Sequence, residues 1–70
     1  MNNFQNNLEE AKARVQSLRA QMTTLTAEYK EQIANEDFGK ASSTYASMYD
    51  LAGVIQCAND RLWFAQVDAK

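Results

Sequence analysis

A chain of 70 residues with a formal charge of −2 makes one domain at most, and it buries a smaller fraction of its surface than a larger fold does. The single cysteine, Cys57, excludes an internal disulfide, and a chain without histidine lacks the usual ligands of a nitrogen-and-sulfur metal site. The acidic balance disfavours a non-specific nucleic-acid binder, so stability is left to helix packing and association.

The opening stretch, Met1 to Asn7, is rich in amides where a signal peptide is basic and then apolar. From there apolar residues fall at Phe4, Leu8, Ala11, Val15, Leu18, Met22, Leu25 and Tyr29, at alternating steps of four and three. Leu8, Val15, Met22 and Tyr29 occupy one core position of a heptad, and Phe4, Ala11, Leu18 and Leu25 the other. The spacing predicts a helix over about residues 4–35. Asn3 or Asn7 is placed to cap it, and Glu9 and Glu10 suit the positive end of its dipole. After Tyr29 the next core position is Gln32, and the neighbouring Ile33 is expected to take over the apolar role.

No proline occurs in the chain, and its two glycines are Gly39 and Gly53. Asn35-Glu36-Asp37-Phe38-Gly39-Lys40 gathers turn chemistry: Asn and Gly accept left-handed backbone, and Asp caps a following helix. A reversal is expected over about residues 36–41, with Ser42 and Ser43 as alternative caps.

A second helix is expected over about residues 42–67, with a seam at Met48, Leu51, Ile55, Ala58, Leu62 and Ala65. Unlike the first, it is apolar around most of its circumference, carrying Tyr45, Tyr49, Ala52, Val54, Cys57, Trp63, Phe64 and Val67 outside that seam. Its charges between Ala41 and Val67 are Asp50, Asp60 and Arg61 alone. Two helices of roughly 40 Å joined by a short turn pack antiparallel, which makes residues 1–70 one all-α domain, a coiled-coil-like hairpin. One partner helix covers one stripe, so a solitary hairpin leaves apolar surface in water, and such patches mark interfaces. Association into a four-helix bundle or larger helical oligomer follows, with Tyr45, Tyr49, Val54, Trp63, Phe64 and Val67 as the expected partner surface. Leu8, Val15, Leu18, Met22, Leu25, Met48, Leu51, Ile55 and Leu62 form the expected internal seam.

Catalysis finds no support in the sequence. General acid–base work calls on histidine or on carboxylates in opposed environments, whereas the acids here are dispersed along helix surfaces. Cys57, on an apolar face with no adjacent cation, reads as a buried, inert thiol. No cofactor and no metal are expected. Lys12, Arg14 and Arg19 form the one basic cluster, which Glu9 and Glu10 turn into a solvated, salt-bridged flank, so nucleic acid ranks last among partners. No apolar run approaches the roughly 20 residues of a membrane span, and with a lone thiol the cytoplasm is the expected location.

The run Ala41-Ser42-Ser43-Thr44-Tyr45-Ala46-Ser47 supplies hydroxyls that, with Tyr45, Tyr49 and Arg61 or Lys40, could hold a small ligand. Two function classes therefore stand. The first is an interaction protein, adaptor, chaperone-like or regulatory, that pairs with itself or another protein through the second helix. In architecture it resembles the small hairpins that guard type III secretion needle subunits and the plasmid-encoded hairpin that dimerises into a bundle. The alternative is a small inhibitor of the phage-encoded kind, which blocks a host protein or sequesters a small signalling ligand between subunits.

Overall fold

The computed structural model describes residues 3–68, with side chains from Asn7 onward, and the described chain is two α-helices and a turn. Helix α1 spans Asn3–Ala34 and α2 spans Phe38–Asp68. They lie antiparallel, side by side, in a rod of 53 × 15 × 13 Å, and no strand occurs among the described residues. Met1, Asn2 and the side chain of Phe4, the first residue of the expected seam, lie outside the described part.

Why the chain doubles back on itself is visible in the heptads. In α1 the a positions are Leu8, Val15, Met22 and Tyr29 and the d positions Ala11, Leu18, Leu25 and Gln32. In α2 the a positions are Ala41, Met48, Ile55 and Leu62 and the d positions Thr44, Leu51, Ala58 and Ala65. Every one of these residues is buried or half-buried, and between them the described helix surface is exposed except at Thr26 and Asn59, which are half-buried. The centre of the seam is Val15, Leu18 and Ala58, with Leu51, Ile55 and Leu62 packed against it. A 3.5-residue period on both helices keeps the two stripes in register over their whole length.

Two expectations at the ends of the seam need correction. Gln32 stays in the core stripe, and its neighbour Ile33 is 40% exposed. A heptad position is set by helix geometry, so a polar residue does not yield it to an apolar neighbour rotated about 100° away. The Oε1 of Gln32 is consequently buried without a hydrogen-bond partner among the described residues. On α2 the seam begins earlier than Met48: Ala41 and Thr44 are both buried, so this end of the small polar run is core.

The turn is tighter than the sequence suggested. Only residues 35–37 are non-helical, and Phe38, Gly39, Lys40 and Ala41 belong to α2. The N–H of Asp37 donates to the carbonyl of Gln32 at 2.9 Å and that of Glu36 to Ile33 at 3.0 Å, the paired bonds of a Schellman motif. The residue in the left-handed region is Glu36, with φ of 58°, and neither Asn nor Gly supplies it. Asp37 then opens the next helix, its Oδ1 accepting from the N–H of Lys40 at 3.4 Å and its carbonyl from that of Ala41 at 3.0 Å. Asp37 thus ends one helix and caps the next, which leaves Ser42 and Ser43 inside α2.

Candidate functional site

A hairpin one layer thick has no interior beyond its seam. No large side chain in the described residues is fully buried, while Phe38, Tyr45, Trp63 and Phe64 are each about 60% exposed and Tyr49 is 74% exposed. All of them lie on α2. On α1 the residues outside the seam are charged, amide, hydroxyl or alanine, apart from Ile33. The surface with chemistry to offer is therefore the outside of α2.

Positions e and b adjoin a, and positions g and c adjoin d, so the hairpin has two long sides. On one of them Tyr29, Ile33, Phe38, Ala41, Ser42 and Tyr45 line a shallow cleft of about 320 Å³ near the turn. Here the rings of Tyr29 and Tyr45 meet at 5.9 Å between centroids, one tyrosine from each helix. Heptad spacing places Tyr49 and Trp63 on this same Tyr45 side. On the opposite side, at the open end of the hairpin, a cleft of about 450 Å³ lies between the helices, lined by Glu10, Arg14, Arg61, Phe64 and Asp68 among others. Val54 and Cys57 share this Phe64 side.

The six residues expected to form one partner surface are all exposed, but they do not form one patch. Tyr45, Tyr49 and Trp63 lie on one side, Val54 and Phe64 on the other, and Val67 points outward between them. Trp63 and Phe64, adjacent in sequence, still meet edge to face with centroids 5.0 Å apart. This pair joins the two sides across the back of α2.

The small-residue run does not assemble a hydroxyl site. Thr44 is buried in the seam, Ser42 lies on the Tyr45 side, and Ser43 and Ser47 lie on the other, where the Ser47 hydroxyl donates to the Ser43 carbonyl at 3.3 Å. Bonds of that kind, from a hydroxyl to the carbonyl one turn back, also occupy Thr23, Thr24 and Thr26 of α1. Nor do the expected cations converge on the tyrosines. The Nζ of Lys40 is 3.7 Å from Asp37 Oδ2 at the turn, and Arg61 stands roughly 18 Å along the helix from Tyr49.

Cys57 is exposed, which corrects its expected burial. It occupies position c, turned away from α1, and hydrophobic character alone does not bring a residue into a two-helix seam. No group of three or more histidine, cysteine or carboxylate side chains is placed to hold a metal ion among the described residues, and no described helix is long and apolar enough to cross a membrane.

Compared with protein-family models, with curated proteins and with solved structures, the chain shows no match. The reading of the site therefore rests on its own geometry.

Proposed function

We propose that the protein is a small, non-catalytic interaction module that works by pairing the outer surface of α2 with another helical surface, forming a four-helix bundle or a larger helical assembly. The observation that carries this reading is the concentration of exposed aromatic side chains on one helix of a hairpin whose other helix shows none among the residues with described side chains. Water-exposed rings cost free energy in a lone hairpin and supply it in a complex, and aromatic residues dominate the energetics of interfaces. The dispersed carboxylates, the back-bonded hydroxyls and the separation of Arg61 from the tyrosines all favour a contact surface over a reaction site.

The experiment is native mass spectrometry on the purified chain and on the protein drawn intact from its own cells. A complex, with itself or with another protein, is expected in at least one of the two, together with a melting temperature that rises with concentration of the associating species. A monomer in both preparations, with melting unchanged on dilution, overturns the reading.

A further inference from the structure

The Tyr45 side of α2 carries a second stripe at heptad spacing, aromatic at four of its eight positions and polar at Ser42, Gln56 and Asn59. From Phe38 to Trp63, every residue reached along this side by alternating steps of four and three is uncharged. A helix with two seams needs two helical neighbours, and α1 supplies only one of them. The matching positions of α1 hold Lys12, Arg19 and Lys30, so the second neighbour is not built from that pattern.

We propose that this second seam joins two copies of the chain, with α2 antiparallel to the partner's α2 about a two-fold axis that passes between Tyr49 and Ala52. This rests on the reading of α2 as the working surface and names its occupant. Antiparallel pairing about that axis sets each position of the seam opposite a fixed counterpart. Tyr49 falls against the partner's Ala52, and Tyr45 against the partner's Gln56. Ser42 falls against the partner's Asn59, and Phe38 against the partner's Trp63. Each tyrosine thus meets a smaller side chain, the two short polar residues meet one another, and an aromatic pair closes both ends. A seam that complements itself about its own midpoint calls for an identical helix, because a two-fold interface uses the same patch twice. The polar Ser42 layer specifies the register, as a buried asparagine does in a coiled coil.

The area is sufficient. Phe38, Tyr45, Tyr49 and Trp63 are each more than half exposed, which at about 200 Å² for a whole aromatic side chain offers on the order of 500 Å² from each copy. Two copies then reach roughly 1,000 Å² from the rings alone, the size at which specific interfaces begin, before the rest of the seam contributes. The seam positions themselves carry no charge to bury.

The test uses the purified full chain. Sedimentation should give a dimer, Tyr49→Glu should move the monomer–dimer transition to at least tenfold higher concentration, and Ser47→Glu, exposed on the opposite side of α2, should leave the dimer intact. Because Tyr49→Glu could also unfold the chain, register is tested separately with Ser42→Cys and Asn59→Cys together in a Cys57→Ser background. These two positions are roughly 25 Å apart on one helix and cannot bridge within a copy, but they face each other across the proposed interface. Oxidation should yield a covalent dimer. A dimer that does not crosslink, or that Ser47→Glu breaks and Tyr49→Glu spares, overturns the proposed interface. A purified chain that is monomeric at all concentrations overturns it too, and if the same protein is found complexed to a different one in cells, the broader interaction reading stands without it.

Discussion

Helices α1 and α2 are nearly equal in length and share one seam, yet they differ in what surrounds it. Around the seam of α1 lie lysines, arginines, glutamates, threonines and glutamines, so its one apolar stripe is fully answered by α2. Around the seam of α2 lie five exposed aromatic rings, and α1 answers only part of that surface. Equal helices with unequal circumferences teach that a hairpin is stabilised by matched stripes, while the unmatched remainder of α2 stays in water. The stripe decides the fold, and the circumference of α2 is where the proposed pairing is to be tested.

The largest expected effect removes the shared stripe. Leu18, 6% exposed, sits at the centre of the core cluster, and Leu18→Asp places an unpaired charge there. A loss of more than about 3 kcal/mol is expected, enough to abolish the helical circular-dichroism signal of so small a fold. Retention of full helicity would show that the seam is not what holds the helices.

Next comes the unmatched surface itself. Trp63→Ala should weaken association by about 2 kcal/mol, near thirtyfold in the dissociation constant measured by dilution. Gln16→Ala, at the corresponding b position of α1, should change it by less than twofold. Equal effects of the two would erase the distinction between the helices.

Smaller still is the joint between them. Glu36 holds a left-handed backbone that glycine adopts without strain, so Glu36→Gly should raise stability by about 1 kcal/mol in urea denaturation. The smallest expected change is at Gly53, where an added Cβ meets nothing within 4 Å. Gly53→Ala should stabilise by about 0.5–1 kcal/mol through helix propensity alone, without altering the association constant. A loss of association in that variant would move the contact surface to the back of α2.

The fold was legible because a 3.5-residue period leaves few alternatives: the nine seam residues from Leu8 to Leu62 could be read from spacing alone, and all are buried or half-buried in the hairpin. Legibility failed where residue type and geometry disagree. Thr44 and Gln32 are core positions filled by polar side chains, so hydropathy passes over Thr44 and hands the role of Gln32 to Ile33. Phe38 and Gly39 look like turn chemistry, yet Asp37 caps so close to the Schellman motif that the helix resumes at once. The exposed residues of α2 were readable one by one, but not their division between two sides. That division follows from where α1 lies, and the spacing of Val54 and Phe64 against Tyr45 and Trp63 gains meaning only once the seam fixes the wheel.

The contact between Trp63 and Phe64 carries a practical corollary. The chain has one tryptophan, and it stands more than half in water with a phenyl edge against it. Its fluorescence is therefore a single-site optical reporter, with no label to attach. Any partner that covers the back of α2 should draw the emission to shorter wavelength, and an equilibrium between free and bound hairpin becomes something to be read by eye on a titration curve.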